Sequence, residues 1–229
     1  NLKYMNWEDE CYLLSKRKFR ENANIINVFS KSKGKVTGIV YGGNSRKIRN
    51  YLQISNKLYI IHNSKNEDKI GYFKTELVKP ISPIYFNDKK RTTALISMCS
   101  ILNILLPESQ PNKNIYKSLE NFVNTLDEEN WIILYIFFEL KLIKDLGYDT
   151  NLNTFKNTKT SSDTLKIKID TFIYEVPKFL ILRERPHKIS NQLIKKSLNF
   201  TRSIIQNRFY TPNNLPFPKQ RVLLENYFI

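Results

Sequence analysis

The sequence predicts an α+β protein of two domains, a five-stranded barrel over residues 1–80 and an all-α helical domain over residues 81–229. Two observations carry this expectation. Through the first third of the chain apolar residues alternate with a period of two, and turn residues interrupt them roughly every 8–12 residues, the pattern of a small all-β barrel. Past Pro80 and Pro83 the period becomes helical, with Ala94, Leu95, Met98, Ile101, Leu102 and Leu105 on one face.

The five expected strands run from Cys11 to Phe19, Asn24 to Phe29, Val36 to Tyr41, Leu52 to Ile61 and Ile70 to Val78. The third is the most informative. In Gly34-Lys-Val-Thr-Gly-Ile-Val-Tyr-Gly-Gly, residues Val36, Gly38 and Val40 share one face, and Gly42-Gly43 opens a turn into a cationic loop holding Arg46, Lys47 and Arg49. Turn signals separate the strands at Ser32–Gly34, Gly42–Asn44 and Asn63–Asn66.

In the second half, one helix ends before Pro107 and a second carries Ile115, Leu119, Phe122, Val123 and Leu126. A third, from about Glu128 to Leu146, is apolar nearly all round, which marks the centre of a bundle, and Gly147 closes it. The polar stretch from Asp149 to Asp170 reads as a loop with a small hairpin at Leu165–Ile169. A helix from Ser190 to about Phe209 follows, then a break at Pro212–Pro218 and a short final helix.

The hydrophobic fraction of 41% and aromatic fraction of 13% are those of a folded, soluble chain. The longest apolar run, Trp131 to Phe138, falls far short of the roughly 20 residues that a membrane span needs. No signal segment opens the chain, and Met5 is expected to be the natural start. The two cysteines, Cys11 and Cys99, sit in apolar patterns and read as buried thiols in a reducing cytoplasm.

The formal charge of +16 fits a nucleic-acid partner, although a chain rich in Lys, Asn and Ile also carries the mark of AT-rich coding. The distribution is therefore more informative. From Lys16 to Arg49 there are ten Lys or Arg and one acid, Glu21. The cations fall in three clusters, Lys16–Arg20, Lys31–Lys35 and Arg46–Arg49, with Phe19, Tyr41 and Tyr51 interleaved. Cations neutralise phosphates and aromatic faces stack bases, so this pattern suits nucleic acid. The expected phosphate contacts are Arg17, Lys18, Arg20, Lys35, Arg46, Lys47 and Arg49, with Tyr41 or Phe19 stacking bases.

Enzymatic motifs are missing: the sequence has no P-loop, GxGxxG, HExxH or GxSxG pattern. Glu8-Asp9-Glu10 could be offered as metal-binding carboxylates for a nuclease, although such a run is more often a solvated strand edge. His62 and His187 read as surface or turn residues rather than general bases. A third possibility is an adaptor whose basic surface receives acidic protein tails.

An ordered set of residues resembles the RecO family of bacterial recombination mediators. It runs Trp7-x-Asp9-Glu10, Leu14, Arg17, Glu21, Ile25, Val28-Phe29, Gly34-x-Val36-x-Gly38-x-Val40-x-Gly42-Gly43, Leu52 and Gly71 to Leu77. The helical half is similar through Ala94–Leu106, Phe138–Gly147 and Pro177–Leu180. The resemblance implies an N-terminal OB-fold barrel and a C-terminal helical domain. It implies a non-enzymatic protein of the RecF pathway, without catalytic residues or cofactor, that binds single- and double-stranded DNA and anneals complementary strands. With RecR, such proteins mediate recombinase loading on DNA coated by single-strand-binding protein, whose acidic C-terminal tail they recognise. For that tail the expectation is an apolar groove rimmed by cations in the helical domain, with Arg91, Lys113 and Lys117 as candidates. Some relatives bind zinc through cysteines in the loop after the central helix; Thr150–Asp170 holds no Cys or His, so no metal is expected there.

Overall fold

A computed structural model describes residues 6–43, 45–64 and 70–229. Met5, Asn44 and part of the expected Asn63–Asn66 turn lie outside the described residues. The chain divides into two compact units, residues 1–116 and 117–229.

The first unit is built on five strands: β1 (Trp7–Phe19), β2 (Ala23–Ser30), β3 (Gly34–Tyr41), β4 (Lys57–Asn63) and β5 (Gly71–Lys79). They close into a barrel of order β1-β2-β3-β5-β4, an OB fold, in which only the β3–β5 pair is parallel. Alternation explains the burial. Cys11, Leu13, Ile26, Val28, Val40, Leu58, Ile60 and Phe73 point inward and form the core, with Val36 packed against it. A register shift between Leu13 and Ser15 lets β1 bury Leu14 as well.

Two glycines are fixed by close approach. A Cβ at Gly38 would sit 2.4 Å from the Phe73 ring, which lies in the barrel core. At Gly34, φ is +75° and a Cβ would meet the Gln110 carbonyl oxygen at 2.1 Å. Gly38→Ala is therefore expected to destabilise the barrel by about 1–3 kcal/mol in denaturant unfolding. Trimming the ring in Gly38→Ala/Phe73→Leu should return part of that loss if the clash is its cause.

Between β3 and β4 lies α1 (Arg46–Tyr51), where a loop was expected. Ser45 caps it, its hydroxyl accepting from the Ile48 amide at 3.4 Å. Ile48 and Tyr51 pack onto the barrel core, and the Tyr51 hydroxyl donates to the Thr75 carbonyl at 2.7 Å. The expected fourth strand also starts later, at Lys57. Residues 52–56 form a turn in which Ser55 takes φ +74° and the Leu13 amide and carbonyl bond Asn56 and Ser55 at 3.0 and 2.8 Å.

Helix α2 (Lys89–Leu105) belongs to this unit and covers part of the barrel's outer face. Asn27 donates to the Asn103 side chain at 2.7 Å, and the Lys35 ammonium to the Asn103 carbonyl at 2.9 Å. Helix α3 (Lys113–Asn124) follows, and the division between the units falls within it.

In the second unit the central helix is α4 (Trp131–Asp145), buried from Trp131 to Ile136 and again at Phe138, Glu139, Leu142 and Ile143. Gly147, at φ +96°, closes it as the sequence predicts. The expected hairpin is present as β6 (Thr164–Ile169) paired with β7 (Phe172–Pro177), its second strand lying beyond Asp170, where the hairpin was expected to end. Then come α5 (Lys178–Leu182), α6 (Asn191–Ile205) with a π turn over Gln206–Tyr210 in place of its expected last turn, and α7 (Lys219–Asn226).

Buried polar groups tie three of these helices together. Arg221 of α7, fully buried, donates from Nε and Nη2 to the Glu139 carboxylate of α4 at 2.6 and 2.9 Å. The same guanidinium reaches Glu225 at 3.1 Å and the Leu198 carbonyl of α6 at 2.7 Å, while the Thr201 hydroxyl donates to Glu139 at 2.5 Å. All three guanidinium nitrogens of Arg221 and both carboxylate oxygens of Glu139 have a hydrogen-bond partner, as burial demands.

Both cysteines are buried, as expected, and desolvation pushes the Cys99 thiol up to about 12. Among the described residues no helix is long and apolar enough to cross a membrane.

Candidate nucleic-acid interface

Antiparallel hairpins place successive turns at alternate ends of a sheet, and this sorts the three cation clusters. The β1–β2 turn (residues 20–22) and the turn that opens after β3 at Gly42–Gly43 share one end of the barrel, joined by a bond from the Gly42 amide to the Asn22 carbonyl at 2.8 Å. Lys16 confirms the convergence. Its ammonium donates to the Leu52 carbonyl at 2.7 Å, just past α1, and burial together with nearby Arg49 holds its pKa below the usual lysine value. Arg17, Lys18, Arg20, Arg46, Lys47 and Arg49 are exposed at this end. None of the six forms an ion pair among the described residues. Uncompensated cations so grouped produce the positive potential that draws a polyanion.

The Lys31–Lys35 cluster is elsewhere. Register places Ser30 opposite Gly34 and Ala23 opposite Tyr41, seven residues apart along β2. At about 3.3 Å per residue, the two ends of this hairpin are about 23 Å apart. Lys35 is buried: it is 9% exposed, bonded to the Asn103 carbonyl and 3.6 Å from the Glu108 carboxylate. It sits on β3 where Glu108 bridges to the strand, so its charge is spent internally.

The aromatics divide likewise. Tyr41 is 56% exposed beside the cationic end, whereas Phe19 is half-buried and the Arg20 guanidinium lies 5.2 Å over its ring. Tyr51 is engaged with Thr75. An exposed aromatic that sequence reasoning passed over is Tyr72, whose ring centroid lies 6.4 Å from that of Tyr41.

The carboxylates offered for a nuclease do not converge. Asp9 faces away from its neighbours on β1 and accepts from Ser30 at 2.5 Å and from the Ser32 amide and hydroxyl at 2.8 and 2.9 Å. Burial opposes its ionisation, but these bonds outweigh it and hold the carboxyl below its ordinary range. Glu10 pairs with Lys57 at 2.7 Å, and Glu8 hydrogen-bonds Tyr59. Among the described residues no group of three His, Cys, Asp or Glu could hold a metal ion. His62 is half-buried, its ring stacked 4.9 Å from Trp7 and tilted against Phe73; His187 is exposed.

The second unit holds a groove of about 470 Å³. Phe137, Leu140, Leu152 and Leu180 give it an apolar lining, and Lys141, Lys144, Arg183 and Arg185 are the cations at it. Lys141 and Lys144 pair with Asp145 and Asp149 at 2.7 and 3.3 Å, while Arg183 and Arg185 are exposed. None of Arg91, Lys113 and Lys117 lines this groove: Arg91 pairs with Asp88 at 2.6 Å on α2, and both lysines are exposed on α3.

Comparison with known proteins agrees with this architecture. Residues 5–81 match the family model for the recombination protein O N terminal region, and residues 87–167 match that for the recombination protein O C terminal region. The DNA repair protein RecO of Roseobacter denitrificans is 33% identical over 164 residues, covering 71% of this chain and 68% of that protein. The RecO of Ehrlichia chaffeensis is 28% identical over 235 residues, and that of a Wolbachia endosymbiont of Drosophila simulans 26% identical over 242, each alignment covering at least 95% of both chains. With a five-stranded OB barrel, a following helical region and both family regions matched in order, the chain belongs to the RecO family of DNA repair proteins.

Proposed function

We propose that this chain is a non-enzymatic recombination mediator of the cytoplasm and nucleoid. It binds single- and double-stranded DNA at the cationic end of the barrel, anneals complementary strands, and with RecR loads recombinase onto DNA coated by single-strand-binding protein. The observation that carries the DNA-binding part is the convergence of Arg17, Lys18, Arg20, Arg46, Lys47 and Arg49 with no acid paired to any of them among the described residues. Annealing follows from the same charge, because offsetting the repulsion between two strands lowers the barrier to their pairing.

The acidic tail of single-strand-binding protein is assigned to the groove of the second unit. Arg183 and Arg185, exposed beside its apolar lining, receive the tail's carboxylates. This supports the groove over Arg91, Lys113 and Lys117, because it offers an apolar lining and cations in one place. An adaptor that uses one surface for DNA and tails alike would show mutual competition; a barrel site and a separate groove predict none.

Salt dependence tests the reading. If all six cations meet phosphates, log affinity for single-stranded DNA should fall against log salt with a slope of about −4, from about −0.7 per phosphate. Affinity that does not change with salt contradicts it.

A further inference from the structure

The outer face of the barrel beside the cationic end carries two aromatic rings that its core does not use. Tyr41 is 56% and Tyr72 41% exposed, whereas Phe73, the next residue on β5, belongs to the core and is 3% exposed. Their positions follow from register. Arg17 pairs with Ile25, Ile25 with Ile39 and Ile39 with Tyr72, so β1, β2, β3 and β5 place these four residues in one row on one face. Tyr41, two residues past Ile39, takes the same face beside Tyr72. The ring centroids are 6.4 Å apart with planes inclined at 58°, and neither hydroxyl is hydrogen-bonded among the described residues. Both rings are held by backbone pairing and present a free face. Arg17 lies at one end of the row and Lys74, two residues past Tyr72 on β5, is exposed on the same face.

We propose that Tyr41 and Tyr72 form a stacking platform for unpaired bases, so that the barrel holds single-stranded DNA in preference to duplex. This rests on the DNA-binding reading above and adds to it the form of the strand. Phosphate contacts alone do not distinguish the two forms strongly, because both carry the charge. Stacking does. A base in duplex has both faces covered by its neighbours and must be extruded before it can meet a tyrosine, whereas an unpaired base offers its face directly. The cations flanking the rings neutralise the phosphates on either side of the stacked bases. The two inclined faces suit consecutive bases that are splayed rather than stacked on each other.

The test is binding of the full chain to a labelled oligothymidylate and to a duplex of equal length, at one salt concentration and across a salt series. Tyr41→Ala/Tyr72→Ala is expected to bind the single strand about 30-fold more weakly and the duplex less than about threefold more weakly, with the salt slope unchanged. Tyr41→Phe/Tyr72→Phe, which keeps the rings, should bind as the wild type. Photo-cross-linking of wild-type protein to bromodeoxyuridine strands needs no variant and should label peptides containing Tyr41 or Tyr72. Wild-type affinity in the double alanine variant, an equal loss on both DNA forms, or cross-links confined to other residues would overturn the platform while leaving the DNA-binding reading intact. Absence of DNA binding by the wild type would overturn both.

Discussion

Reversing Arg46, Lys47 and Arg49 to Glu is expected to weaken single-stranded DNA binding by about 50-fold or more at 0.15 M salt and to reduce the salt slope by about 2. The magnitude comes from counterion release. Each lost phosphate contact removes about 0.7 from the slope, which at 0.15 M is worth roughly half a decade of affinity, and three contacts compound. Reversal adds repulsion to that loss. All three side chains are exposed on α1, and none has an ion-pair partner among the described residues, so the fold should tolerate the change. The contacts of α1 with the barrel come from Ile48 and Tyr51, which the variant retains. Anisotropy titrations across salt, with thermal melting as a control, give the answer. A control with the three charges reversed at Lys31, Lys33 and Lys35 should lose far less affinity. The first two lie at the far end of the β2–β3 hairpin and Lys35 is buried, although that last substitution will cost stability through its bonds to Asn103 and Glu108.

Arg221→Met should produce the largest loss of stability, about 3–5 kcal/mol, with a fall in Tm on the order of 15 °C for a unit of this size. The loss arises less from the missing attraction than from what remains. Glu139 would keep its buried position on α4 with only the Thr201 hydroxyl to bond it, and a charge so placed is costly. Such a deficit is a large part of the roughly 5–15 kcal/mol by which a domain is stable, so α7 should detach or the unit unfold. The compensated variant separates the causes. Arg221→Met/Glu139→Leu removes both charges and is expected to recover most of the loss, because a buried pair contributes little over apolar residues of similar volume. If the double variant is as unstable as the single one, packing of the guanidinium stem rather than the stranded carboxylate is responsible.

Much of the barrel was legible in the sequence because its information is local. Alternation at Val36, Gly38 and Val40 is a property of adjacent residues, and the core did take Val40 and set Phe73 against Gly38. What was not legible depends on partners far along the chain. Helix α1, at six residues, is too short to show a period, and only Ser45 at its cap marked it. Lys35 looked like every other cation until Asn103 and Glu108 came to it from a segment some 70 positions on. Glu139 was visible as a charge in an apolar helix, but its partner Arg221 lies 82 residues away in a short polar helix. The separation of the Lys31–Lys35 cluster from the other two is different, because strand order alone could have shown it: in a meander, the turns after β1 and β3 share an end and the turn after β2 does not. Tyr72 was missed because its exposure is decided by where β3 ends beside β5, a tertiary fact.

Whether the cationic end of the barrel brings DNA strands together is decided by the rate at which the wild-type chain and the Arg46→Glu/Lys47→Glu/Arg49→Glu variant anneal complementary single strands, naked or coated with single-strand-binding protein. The wild type should accelerate annealing on both substrates and the variant should approach the protein-free rate. Equal acceleration by the two proteins would contradict the assignment of DNA binding to this surface.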